Sequence, residues 1–437
     1  MFLYYFDLAL RSFRSARGLT ALMVLTVAMG IGASMTTLTT FRALSGDPLP
    51  GRGASVMRVQ LDAQTKAGST PGEEPDDQLT RFDAEALLRD KHGLRQAAMI
   101  GGGVTIEPAA ETPGALKPFT ADARYTSADF FPMFGTPFRY GQPWGAAEDD
   151  ARAAVVVISR ELNEKVFGGA DSVGRTLRFD NADYRVVGVL GAWQPVPYFF
   201  DLNTGRYRKT ESVFVPFSTS IERKLSQHGN VSCWGDGPTT DLRALTAPCS
   251  WIQYWVELKS PDDRPAYLDY LNRYSAQQHA AGRFERDPNP RLRPVMEWLS
   301  SQHVVPDDVR LQTWLAFGFL LVCMVNTVGL LLAKCLRRAP EIGVRRALGA
   351  PRRQIFAQFL VEAGAIGLAG GVLGLVLSWA GVWLVRQGTS DSSQWVHMDA
   401  TTLAATFAFS VGASLLAGVL PAWRACEISP ASQLKSS

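Results

Sequence analysis

Four stretches of this chain run without a single charged residue for longer than a membrane is thick. They are Gly18–Phe41, Leu311–Ala333, Ala363–Val385 and Ala400–Trp423, of 24, 23, 23 and 24 residues. A helix rises 1.5 Å per residue, so roughly 20 apolar residues cross a bilayer core of about 30 Å. Core helices of soluble proteins seldom stay uncharged for so long, and the four windows therefore predict four transmembrane helices. The interval from Arg42 to Arg310 has ordinary globular composition and is long enough to bury a core of its own. The expected fold class is thus a membrane α-helical unit plus a large extracytoplasmic α+β domain.

Charge at the flanks of the windows sets the expected orientation. Arg11, Arg14 and Arg17 precede the first helix. Lys334, Arg337, Arg338, Arg345, Arg346, Arg352 and Arg353, against the single acid Glu341, lie between the second and third. The connection between the third and fourth has no such excess. By the positive-inside rule both termini and the arginine segment are cytoplasmic and the large domain lies outside. The first window is longer than the roughly 7 to 15 residues of a signal-peptide core and has no convincing cleavage site, so it reads as a retained anchor. The net charge of +3 points to no nucleic-acid partner, because the basic residues that matter sit at membrane flanks.

Cysteines divide along the same topology. Cys323, Cys335 and Cys426 fall in or beside the membrane, whereas Cys233 and Cys249 fall in the external domain. In an oxidising compartment the latter two are a candidate disulfide, the alternative being two unpaired thiols. Zinc fits poorly, since only His228 is near in sequence.

Within the external domain, "SVMRVQL" alternates like a strand, "TRFDAEALLRD" reads as a helix with Thr80 as its N-cap, and "RQAAMIGGGVTIE" reads as a second strand. At the far end "WIQYWVEL", "SPDDRPAYLDYLNRYSAQQHAAG" and "RLRPVMEWL" read as strand, helix and strand. Two strand-helix-strand units thus flank a middle section rich in short strands. Phe130, Phe131, Phe134, Trp144 and Trp193 in that section either line a ligand surface or pack in a core.

Several chemistries are missing from the sequence. There is no Gly-Lys dipeptide, hence no phosphate-cradling P-loop, and no Gly-x-Ser-x-Gly or His-Glu-x-x-His motif. The five histidines are scattered, no metal site is expected, and no residue is assigned as catalytic. The glycine runs at Gly101–Gly103 and Leu368–Gly374 lack a basic partner in sequence, and read as a strand irregularity and as helix packing. Ionisable groups are absent from the four windows. Glu362 is expected at the start of the third helix, facing that helix N-terminus or an arginine, and Asn326 is expected to hydrogen-bond between helices. Ala28 with Gly32, Gly367 with Gly371, and Gly370 with Gly374 are spaced for close helix packing. Four helices with so few polar groups make a poor solitary channel, so a dimer is expected.

The arginine segment "RRAPEIGVRRALGAPRRQ" offers more than topology. Pro340 suits the first turn of a helix, Glu341 sits four residues before Arg345, and Ile342, Ala347, Leu348, Ile355 and Phe356 supply apolar contacts.

Taken together, "LALRSFRSARGLTALMVLTVAMGIGASM", "YTSADFFPMFGTPFRYGQPW", "AVVVISRELNEKVFGGADSVGRTLRFDNADYRVVGVL", "RRAPEIGVRRALGAPRRQIFAQFLVEA" and "LPAWRACEISPASQLKSS" closely resemble permeases of the MacB/FtsX family of ABC transporters, the type VII or mechanotransmission group. The resemblance covers nearly the whole chain. It implies a cytoplasmic entry helix over 1–17, membrane helices over 18–43, 301–334 with its stalk, 362–386 and 400–424, and a cytoplasmic coupling segment over 335–361. It also implies a porter-like base over 44–118 and 250–300, a β-rich sabre-like insertion over 119–249, an external loop over 387–399 and a cytoplasmic tail over 425–437. Glu341, Ile342, Arg345, Arg346, Leu348, Arg352 and Arg353 would dock on an ATPase. Because the sequence starts at the entry helix, that ATPase, with its bound ATP and Mg, is expected on a separate subunit. A second permease, identical or related, a periplasmic adaptor and an outer-membrane channel are the other implied partners, and the bacterial inner membrane the implied location. Efflux of drugs or peptides from the periplasm is the leading expectation. Lipoprotein extraction and signalling to cell-wall hydrolases or about antimicrobial peptides stay open within the family, and a non-transporting anchored sensor or scaffold outside it.

Overall fold

A computed structural model describes residues 17–67, 69–70, 72–108, 117–235, 241–305, 307–388, 393–396 and 400–427. The expected entry helix up to residue 16 and the tail from 428 lie outside the described residues. The chain forms two compact units, one from its two ends and one from Gly46–Val304.

In the membrane unit the four apolar windows are helices: Arg17–Ser45, Asp307–Arg337, Arg352–Arg386 and Ala400–Glu427. Each is long and apolar enough to cross a membrane. The small residues decide how they pack. A Cβ on Gly370 would lie 2.7 Å from Val27, and one on Gly32 would lie 2.8 Å from Leu377. Gly374 stands against Ile31 and the Ala28 carbonyl, and Ala28 itself is fully buried. The first and third helices therefore meet backbone to backbone along Ala28, Gly32, Gly370 and Gly374. Gly367 and Gly371 face the fourth helix instead, against Ser414 and Ser410, and the Ser410 hydroxyl donates to the Gly367 carbonyl at 2.9 Å. Asn326 differs from its expectation: it is exposed on the outer face of the second helix. Elsewhere on the second helix the Ala316 carbonyl accepts an interhelical hydrogen bond from the Ser34 hydroxyl at 2.9 Å.

The other unit is built on one sheet. In chain order its strands are β1 (Val56–Gln60), β2 (Leu79–Thr80), β3 (Arg95–Ile106), β4 (Phe119–Thr126), β5 (Phe138–Gly141), β6 (Val155–Ile158) and β7 (Thr176–Phe179). There follow β8 (Ala182–Leu190), β9 (Val213–Pro216), β10 (Gln227–His228), β11 (Ser232–Cys233), β12 (Cys249–Glu257) and β13 (Arg291–Pro294). The main path runs β13-β1-β12-β3-β4-β9-β6-β8-β5.

The two strand-helix-strand units do not stand apart; they interleave. β1, helix Arg81–Asp90 and β3 form one, and β12, helix Arg264–Ala280 and β13 the other. Their strands alternate as β13-β1-β12-β3, all antiparallel, which is the split βαβ arrangement of ferredoxin-like domains. Thr80 caps the first helix, its hydroxyl accepting from the Asp83 N–H. "RLRPVMEWL" is a strand only to Pro294; Val295–Ser301 is helical, with Val295, Trp298 and Leu299 turned inward on a helical period.

The middle section is not a separable insertion. β3 runs on past β12 and pairs with β4 from Met99–Thr126 to Ile106–Phe119, so the expected boundary at 118/119 falls within a strand pair. The boundary at 249/250 likewise falls within β12. One core of buried residues extends from Met57, Leu87 and Leu271 to Val156, Val186 and Val213. Phe130, Phe131 and Phe134 are at most 2% exposed and pack edge-on with Phe199 and Phe200 and tilted against Phe214, so they are core residues rather than a ligand surface. Trp144 is buried with them and Trp193 half-buried. The connection between β8 and β9 is fixed by buried Arg124 on β4, which donates to Asp201 at 2.7 Å, Glu211 at 2.6 Å and the Tyr198 hydroxyl at 2.7 Å. Cys233 and Cys249 are joined by a disulfide that ties β11 to β12.

Candidate functional site

Arg337 ends the second membrane helix, and after a one-residue break the chain turns into a nine-residue helix, Ala339–Ala347. Pro340 stands in its first turn, where the missing N–H costs no hydrogen bond. Arg345 donates to Glu341 one turn earlier at 2.7 Å and to Gln358 at 3.3 Å. Gly349, at φ +96°, turns the chain, and Pro351 caps the third membrane helix, which starts at Arg352. The expected coupling segment is thus three pieces: the end of one membrane helix, a short helix of its own and the first turns of the next.

The short helix has two faces. Ala339, Ile342 and Gly343 are buried, and Ile342 packs with Cys335, Ile355, Phe359 and Ala422. Ile342 is therefore not a docking contact, because its side chain is spent holding the helix to the bundle. The opposite face is open. Pro340, Val344 and Leu348, spaced i, i+4 and i+8, are all exposed, Val344 by 58% and Leu348 by 83%. Glu341, Arg352 and Arg353 are exposed beside them, and Arg345 and Arg346 half-buried. Such an apolar ridge with a charged rim is the anatomy of a protein-protein contact. Val344 went unnoticed in the sequence; its signal was the four-residue spacing from Pro340 and Leu348.

Beneath this helix lies a charge cluster. Lys334 and Glu362, 3% and 2% exposed, form an ion pair, and Arg338 approaches Glu362 at 3.8 Å. Glu362 is therefore not at its helix start but three turns in, since Pro351 and the uninterrupted run from Arg352 let the helix begin ten residues earlier. Its main partner is a lysine on the second helix. The pair escaped sequence reading because 28 residues and the whole short helix separate its members.

Among the described residues no group of His, Cys, Asp and Glu could hold a metal ion. A family model described as "MacB-like periplasmic core domain" matches residues 20–274, and one described as "FtsX-like permease C-terminal" matches residues 314–430. Similar curated proteins include the pyoverdine export ATP-binding/permease protein PvdT of Pseudomonas entomophila, 26% identical over 309 residues, which are 70% of this chain and 42% of that protein. The macrolide export ATP-binding/permease protein MacB of Marinobacter nauticus is 23% identical over 436 residues, 98% of this chain and 60% of that protein. The chain accordingly spans 42% to 60% of the length of these two relatives. The periplasmic region of MacB from Actinobacillus actinomycetemcomitans superposes with a TM-score of 0.38 at 13% identity, covering 60% of this chain and 97% of that one.

Proposed function

The chain belongs to the MacB/FtsX family of ABC transporter permeases, and from that premise we propose that it turns ATP hydrolysis by an ATPase subunit outside these 437 residues into movement of its extracytoplasmic unit. Permeases of this family are not themselves catalytic; ATP and Mg belong to the ATPase. The observation that carries the reading is the open ridge of Pro340, Val344 and Leu348 on a helix whose other face is anchored in the bundle. A docked ATPase would push on this helix. Ile342 and the Lys334–Glu362 pair would pass the push to the second and third membrane helices, and the second leads in sequence to the extracytoplasmic unit.

Efflux of drugs or peptides from the periplasm, through an adaptor and an outer-membrane duct and with a second permease in the complex, is the output we assign. The apolar packing of the four helices supports a route that does not cross them, and the two relatives carry the names of exporters.

The test is V344E/L348E in the native complex. The variant is expected to insert normally yet lose co-purification with an ATP-binding subunit, or leave hydrolysis unresponsive to cargo. Unchanged recovery and unchanged coupling would overturn the reading.

A further inference from the structure

The glycine run Gly101–Gly103 marks a site that neither the fold nor the coupling reading uses. On the edge of β3 opposite β4, three strands pair in turn: β12 at Arg95–Met99, β10 at Gly101–Gly102 and β7 at Ile106. Among the described residues no bridge forms on that edge at Gly103 and Val104, and a cavity of about 620 Å³ opens there. The glycines are what make it. A Cβ on Gly103 would lie 2.6 Å from the His228 ring, and one on Gly102 would lie 2.4 Å from the Tyr125 ring and 2.5 Å from the Ser226 carbonyl. A glycine inside a strand commonly marks such a close approach.

Around this floor stand Arg223, Lys224, His228 and Tyr184, against one acid, Asp180. Asp180 is already engaged, accepting from the Thr105 N–H at 2.9 Å. Arg223 and Lys224 are exposed and in no ion pair among the described residues, and the Arg223 guanidinium lies 4.8 Å from the centre of the Tyr184 ring. Tyr184 is 1% exposed, and the Arg223 guanidinium is the neighbour of its hydroxyl, without a well-formed hydrogen bond between them. Lys224 is held at φ +52°, a left-handed conformation unusual for lysine, where helix Phe217–Glu222 ends. The sequence showed the glycines without basic partners; folding supplies three from 120 residues away.

We propose that this cavity binds a small organic anion, a carboxylate or phosphate on a partly apolar body. Arg223, Lys224 and the Tyr184 hydroxyl donate to the anionic group, and Val104, Ala182 and Leu225 contact the body. The site is independent of the coupling reading.

Isothermal titration calorimetry on the full chain in detergent, with phenyl phosphate and benzoate as anions and phenol as the neutral probe, tests it. At least one anion is expected to bind and phenol not. R223Q/K224Q, both changes at exposed positions, is expected to weaken binding at least about tenfold, as for a lost charge-assisted contact. R89Q, an exposed control elsewhere, leaves affinity unchanged. G103A, which sets a methyl group against His228, weakens binding with the circular dichroism spectrum retained. Absence of binding by both anions, equal binding of phenol, or an unaltered affinity in R223Q/K224Q overturns the proposal.

Discussion

Asp149 accepts hydrogen bonds from the Ala128 N–H at 2.7 Å and the Trp144 indole N–H at 3.0 Å, both of which favour its ionised form. Burial outweighs them and pushes the carboxyl up to about 6 from its ordinary 3.8. A raised carboxyl binds its proton more tightly in the native state than in the unfolded one. Its contribution to stability is therefore full below about pH 4 and is lost as pH rises to about 6. D149N, which keeps one of the two acceptor oxygens and does not titrate, should remove this dependence. The melting-temperature difference between the wild type and D149N is expected to change between pH 4 and 6 and to be flat above 7; a difference flat throughout would refute the assignment. Other residues were readable directly. Thr80 as a cap and Glu341 paired with Arg345 need only neighbours three or four positions away, and such neighbours are fixed by the helix itself.

Between elements the deciding contacts are long-range. Lys334 and Glu362 are both buried, so neutralising one removes the closest opposite charge from the other, even with Arg338 at 3.8 Å from Glu362. That typically costs about 3–5 kcal/mol. E362Q is expected to lower the thermal stability of the detergent-solubilised chain markedly, and K334Q/E362Q to recover part of the loss, because a buried charge deprived of its closest counter-charge is what costs. A double variant as unstable as the single one would count against this. The candidate site was half legible for the same reason. Its location, its proline start and its arginines lie in one short segment, but which apolar residues face inward depends on Cys335, Phe359 and Ala422 on other helices. Ile342 and Leu348 look alike in sequence; the bundle buries one and exposes the other.

At the scale of the molecule, the sheet that continues from the two interleaved strand-helix-strand units into the middle section predicts that Gly46–Val304 unfolds as one cooperative unit. Hydrogen exchange on the full chain should show β3, β4, β9 and β12 exchanging with similar protection. Loss of protection in β4 and β9 well before β12 would show two independent lobes. The sequence by itself determined the four membrane helices, the position of the large domain between the first and second, and the family, because charge-free length and local motifs survive without knowledge of contacts. It also showed small residues spaced four apart in the first and third helices, a spacing that suits close helix approach. Tertiary structure alone decided that the two strand-helix-strand units interleave, that the middle section continues their sheet, that Glu362 meets Lys334, and that Arg223, Lys224 and His228 gather at Gly103. Each of these joins segments distant in the chain. The register and burial that select such pairings arise only when the whole core forms.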